Sequence, residues 1–212
     1  KGGGKVIILD ANPKIQAAAK NFTTAFNETH KGIVTYVPNA KISAINADNM
    51  SVITSAGTFK GKVINAIPIH KAGNLITQSR IGLNNSANGK WAGVNVLSYE
   101  SSNPDLAGIH ILGDSTATTQ PKAGHIANAE AKVCADAIIK IFEGAAITEV
   151  PITNSSCFTP ITKETAAWLS VVYRYDPTTK TMLPTGNGVT ESNGATSENY
   201  EDMLKWFTNL MA

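Results

Sequence analysis

One stretch constrains the fold more than any other, Gly108 to Cys134. It opens Gly-Ile-His-Ile-Leu-Gly-Asp, an apolar run closed by Gly113-Asp114. A polar loop follows and ends in Lys122, Ala123 and Gly124. A helical pattern begins at His125. A strand, a turn and a long helix set the helix N-terminus beside the strand end. Backbone N–H groups and the positive end of the helix dipole favour an anionic or electron-rich group there. A turn that only caps the helix is the other reading of Gly113-Asp114, and the residues leave both open.

The apolar runs predict parallel strands at 5–9 and 109–112, and the helical pattern predicts a helix over 124–142. Ile126, Ala129, Val133, Ala137, Ile138 and Ile141 form its apolar stripe, which ends near Gly144. Cys134 adjoins that stripe, as a buried, inert thiol would.

Upstream, Lys5 to Leu9 is a continuous apolar run, the pattern of a parallel strand buried on both faces. Asp10 ends it. Asn12 and Pro13 suit a helix start, and Ile15, Ala18, Ala19, Phe22 and Phe26 mark one helix face. An acidic residue at such a strand end either caps the turn or holds a ribose. Short strands at 33–37, 40–45 and 51–54, separated by polar turns, predict an antiparallel meander. Phe59 to Ile67 leads to Pro68, where a strand ended by proline is one reading. Ala72 to Gln78 is a short helix, and Trp91 to Tyr99 is strand-like. After Pro151, Thr153 to Cys157 reads as a polar loop. Ala166 to Tyr175 alternates like a strand. A long hairpin follows, and Ser197 caps a final helix. On that helix Tyr200, Met203, Leu204, Phe207, Leu210 and Met211 share a face fit to dock on its own domain.

Composition excludes several classes. The chain has 212 residues, a net charge of +2 and 16% charged residues, so charge makes no case for nucleic acid or a membrane surface. No run is long enough for a membrane span. The two cysteines and four histidines show no haem-attachment or metal-ligand spacing, so no metal site is predicted. Lys1 to Lys5 precedes a strand and is no dinucleotide fingerprint.

On Gly108 to Val133 the sequence resembles the flavoprotein subunit of flavocytochrome c sulfide dehydrogenase. Counterparts run in order through KVIILD (5–10), VINAIPIHKAG (63–73), Trp91 to Ser101 and Asn154 to Arg174. The resemblance covers the C-terminal half of that family's chain. It implies an α/β fold, an incomplete two-dinucleotide-binding-domain flavoprotein with a small C-terminal α+β unit. The implied divisions are residues 1–62, the remainder of an inserted NAD-like domain; 63–146, the C-terminal part of the FAD-binding domain; and 147–212, the flavin-binding and interface domain.

The resemblance implies FAD as cofactor, with Pro68, Ile69, Gly113, Asp114, Lys122, Ala123 and Gly124 near it. No glycine-rich phosphate loop occurs in these residues, so the chain by itself is expected to hold FAD weakly or not at all. Asn154-Ser-Ser-Cys157 resembles the family's Asn-x-Cys motif, with one residue more. That implies Cys157 as the catalytic cysteine, paired in a flavin-side disulfide with a cysteine of the N-terminal half. Sulfide attacks the disulfide, and the electrons pass through flavin to a haem. A structural cysteine is the other reading. Trp206 resembles an aromatic on the electron route, or is plain packing. The implied partners are the N-terminal half of the flavoprotein and a c-type cytochrome, the substrate is sulfide, and the compartment is the periplasm. Two alternatives stay open. One is a sulfide:quinone or pyridine-nucleotide-disulfide-type oxidoreductase, whose quinone-reducing form would show an exposed apolar C-terminal segment. The other is a non-catalytic interaction fragment.

Overall fold

The computed structural model describes residues 3–211. It is a mixed α/β chain in two compact units. The first comprises Lys1–Pro68, Phe158–Trp168 and Glu191–Asp202; the second comprises Ile69–Cys157, Leu169–Thr190 and Met203–Ala212.

In the first unit, β1 (Val6–Leu9) pairs in parallel with β2 (Val34–Val37), Val6 opposite Val34 and Leu9 opposite Val37. The predicted strand is there, but it is not buried on both faces. Val6 is 51% and Ile7 47% exposed, since among the described residues β2 is its one strand neighbour. Between them lies α1 (Ala19–Thr24), which continues as a π-helical turn over Ala25–Thr29. The predicted start at Asn12–Pro13 fails, since residues 11–14 form bends and Ala18 is the N-cap, with φ 48°. Asn12 is drawn into the turn instead, donating its N–H and its amide to Asp10. Phe22, Phe26 and Tyr36 then form an aromatic row, with centroids 5.6 and 6.1 Å apart. An antiparallel meander follows as β3 (Ile42–Asn46), β4 (Ser51–Thr54) and β5 (Gly57–Lys60); the expected first strand, 33–37, is not part of it, because it is β2 and pairs in parallel with β1.

The second unit opens with α2 (Asn74–Thr77), inside the predicted short helix. Trp91 to Tyr99 is not a strand. β6 covers Val94–Asn95 alone, a turn follows, and β7 (Glu100–Ser101) returns. Nor is 109–112 a parallel strand. His110 makes one antiparallel bridge to Glu100, flanked by Gly108 and Gly113 at positive φ. With no parallel strand beside it, the apolar run packs Ile109 and Ile111 onto a core of Ala72, Ile76, Leu83, Ala92 and Leu106.

The predicted long helix is α3 (Gly124–Glu143). Gly144, at φ 67°, closes it in the left-handed conformation that a Cβ disfavours. Its buried line is Ile126, Glu130, Cys134 and Ala137. The predicted stripe was turned aside by Ala129 and Val133, which are half-buried, and Ile141 is exposed.

Next come β8 (Ile152–Pro160), β9 (Ala166–Asp176), β10 (Thr181–Pro184) and β11 (Thr190–Glu191), in the order β10–β9–β11 with β8 also on β9. The polar run 153–157 is therefore strand, not loop. Thr153 and Ser155 are buried and Asn154 is exposed, the alternation of a paired strand. Within the second unit, Val171, Tyr173 and Met182 of this sheet pack with Val96 and Ile126.

The final helix is α4 (Ser197–Met211). Thr196, not Ser197, caps it, its hydroxyl accepting the Asn199 N–H at 3.0 Å. None of its residues is buried. Met203, Trp206 and Leu210 are half-buried, whereas Leu204, Phe207 and Met211 are exposed.

Candidate functional site

The turn before α3 and the helix's first residues are the centre of the site. Gly113, at φ 71°, opens a single 3₁₀ turn, Gly113–Ser115, with Asp114 exposed on it. Thr116 closes that turn, donating its N–H and its hydroxyl to the Gly113 carbonyl at 3.1 and 2.8 Å. Lys122 donates to the Thr116 carbonyl at 2.6 Å. Its Nζ also lies 3.8 Å from the centroid of the Trp91 ring, a cation–π contact. Burial lowers the Lys122 pKa, against the pull of Asp114 and Glu130. Ala123 is the N-cap of α3 and Gly124 its first residue, and no side chain caps the helix. The first N–H groups of α3 thus keep their donor capacity, as a site for an electron-rich ligand edge requires.

Cys157 lies on β8, half-buried, its Sγ 3.8 Å from Ser155 Oγ. The adjacent residue ties that strand to the helix, because Ser156 donates its N–H to His125 Nδ1 at 3.1 Å. His125 in turn meets Trp206 edge-on, centroids 5.9 Å apart at 73°. The structure therefore gathers Gly124, the strand of Cys157 and Trp206 around the start of α3. Pro68 and Ile69 do not join them by any observed contact. They are exposed residues of an irregular segment, where the first unit's opening stretch ends and the second begins.

Sequence reasoning missed the residue beneath the turn. Glu130 is 1% exposed, and its Oε2 accepts the Gly113 N–H at 2.5 Å. Burial pushes its carboxyl up to about 7, against the Gly113 bond and the Lys122 charge, which pull it down. Tyr99 is fully buried, with its hydroxyl between Glu130 and Gln120 Oε1, the latter at 3.3 Å. Gln120 donates onward to Thr153 Oγ1 at 2.6 Å. Burial, then the Glu130 charge, raises the Tyr99 pKa. A glutamate four residues after Ile126 and four before Cys134 stands in the buried line of α3, and that register was the available signal.

Residues 1–68 match the family model of the central region of the flavoprotein chain of sulfide dehydrogenase (flavocytochrome c). Over that stretch, about a third of the chain, the sequence is similar to this flavoprotein family. The matched stretch holds Asp10 and Pro68; the other residues singled out lie beyond it. In it, Asp10 is fully engaged within its own unit. Its carboxylate accepts the Asn12 N–H and amide at 2.8 and 2.9 Å and the Tyr36 hydroxyl at 2.7 Å. The Asn12 backbone bond comes first among the causes that bring its pKa down. Tyr36 is correspondingly pushed up to about 12, by desolvation first and then by Asp10.

Among the described residues, no three His, Cys, Asp or Glu side chains gather as a metal site, and no helix is long and apolar enough to cross a membrane.

Proposed function

We propose that this chain is the C-terminal part of a flavin-dependent sulfide:cytochrome c oxidoreductase. It would act with the N-terminal half of such a flavoprotein and a c-type cytochrome, in the periplasm. The observation that carries the reading is the Ser156–His125 hydrogen bond, which ties the cysteine-bearing strand to the uncapped start of α3.

FAD fits the residues present. The open N–H groups of Ala123 to His125 suit the flavin edge where negative charge collects on reduction. Asp114 is an exposed acceptor for the ribityl region, and Lys122 supplies positive charge beside it. Bound there, FAD supplies the change from two-electron to one-electron transfer. Cys157 presents sulfur to the substrate. Sulfide attacks the disulfide between Cys157 and a cysteine of the N-terminal half. The old S–S bond breaks, a new one forms to the incoming sulfur, and one cysteine leaves as thiolate. Re-forming the disulfide leaves the incoming sulfur at the zero-valent level, a net loss of one proton and two electrons from HS⁻, and FAD, when bound, would accept that electron pair.

One observation favours a quinone as acceptor instead. Leu204, Phe207 and Met211 form an exposed apolar stripe on α4, contrary to the expectation that this face docks on its own domain. The test is sulfide oxidation by the whole flavoprotein carrying this chain, with cytochrome c or a quinone supplied. Cytochrome reduction that C157S abolishes supports the proposal. Quinone reduction alone selects the second reading. Sulfide oxidation unaffected by C157S overturns both.

A further inference from the structure

Among the described residues, Glu130 is the one buried side chain of the Asp, Glu, Lys, Arg or His kind. The chemistry proposed above does not use it. A buried carboxyl is costly unless its bonds repay the lost hydration. Its nearest partner is the Gly113 N–H. Thr116 fastens the same residue's carbonyl. Asp114 follows Gly113 inside the turn that Thr116 closes, so the Glu130 bond anchors the first residue of the turn that presents it.

We propose that Glu130 is the positioning residue for Asp114: its ionised carboxylate grips the Gly113 N–H and holds the turn in the flavin-contacting geometry, and its neutral form relaxes that grip. The proposal rests on the reading of Asp114 as a flavin contact. A charge-assisted bond is roughly twice as strong as a neutral one, so the two forms differ in how firmly they hold the turn. Burial brings the carboxyl to about 7, and both forms are populated near neutrality. The groups that face it are Tyr99 from the β6–β7 turn and Asp114 and Lys122 from the loop before α3; Cys134, on its own helix, acts on Tyr99. Tyr99 and Cys134 are both raised, so neither ionises in the same range.

The Gly113 amide of the ¹⁵N-labelled 212-residue chain, followed by NMR from pH 5 to 9, reads the grip directly. The wild-type amide proton should move downfield with a midpoint near the Glu130 value, and its exchange, corrected for base catalysis, should slow about tenfold at the upper end. E130Q offers a carbonyl to the same N–H without titrating. It should keep the turn and lose the pH dependence. E130A should leave Gly113 unprotected throughout. A Gly113 amide that does not titrate, or that titrates alike in E130Q, overturns the proposal. In the whole flavoprotein, FAD affinity should rise several-fold from pH 6 to 8 in wild type and stay flat in E130Q. A titrating amide beside a pH-independent flavin affinity would leave the grip standing and reject the flavin reading of Asp114.

Discussion

Asp114 stands exposed on a turn that is tied to Glu130 through the Gly113 N–H and closed by Thr116 on the Gly113 carbonyl. Its carboxylate is therefore spared for a ligand, and D114A should leave the turn in place. What the substitution removes is one charged acceptor, worth roughly 1.5–3 kcal/mol. In the whole flavoprotein, FAD should dissociate about tenfold more readily or worse, which flavin fluorescence on dilution would read; unchanged affinity would reject the role. The cysteines divide on the same scale. Cys134 is 4% exposed, and burial raises its pKa. Cys157 is half-buried on β8. An alkylating reagent should modify Cys157 in the folded chain and Cys134 only after unfolding. Peptide mapping at timed intervals would expose the reverse order.

At the scale of elements, α1 is held from far along the chain. Glu191 accepts the N–H groups of Lys20 and Asn21 at 3.1 and 3.2 Å and the Asn21 amide at 2.8 Å. It fills the capping role that no local side chain takes. E191A should cost about 1–3 kcal/mol in urea unfolding, while E191Q, which keeps an acceptor, should cost less; equal losses would argue against the cap. This explains what the sequence could disclose. α3 was legible because a glycine stop ends its helical pattern, and β3 and β4 because a polar turn separates their apolar runs; β2, expected as the meander's first strand, pairs with β1 instead. The start of α1 was not, since its cap lies 170 residues away. The strand at Thr153 to Cys157 was hidden because its polar residues find partners through the fold: Thr153 with Gln120, and Ser156 with His125 and Ser170. Glu130 was hidden for the same reason, as its partner Gly113 lies 17 residues upstream on another segment.

Across the whole molecule, the shifted carboxyls oppose one another in pH. Asp10, Glu149, Asp176 and Glu191 all lie below their ordinary values. The causes are the Asn12 backbone bond for Asp10, the Lys140 ion pair for Glu149 and the Thr179 hydroxyl for Asp176. Burial pushes Glu191 upward, but the bonds from Asn21 and Lys20 outweigh it. A depressed carboxyl stabilises the fold above its unfolded value and loses that contribution as pH falls through its folded value. Glu149 is exposed and the other three are only half-buried, so solvent screens each contribution, more so in salt. Glu130 works the other way. Its folded value of about 7 stands above the ordinary 4.5. Its contribution is complete below the unfolded value and is lost as pH rises toward the folded one. At about 1.4 kcal/mol per unit, the loss is on the order of 3 kcal/mol between roughly pH 4.5 and 7. The urea midpoint of the chain, followed by circular dichroism, should therefore peak near pH 4–5 and fall toward neutrality. It should level off above about pH 7.5, with a separate decline below about pH 4. E130Q should abolish the fall between pH 5 and 7 and leave the acid decline untouched. A wild-type midpoint that is flat from pH 5 to 8 would mean that Glu130 stays ionised throughout, and that its carboxylate is better solvated than its buried place under Gly113 allows.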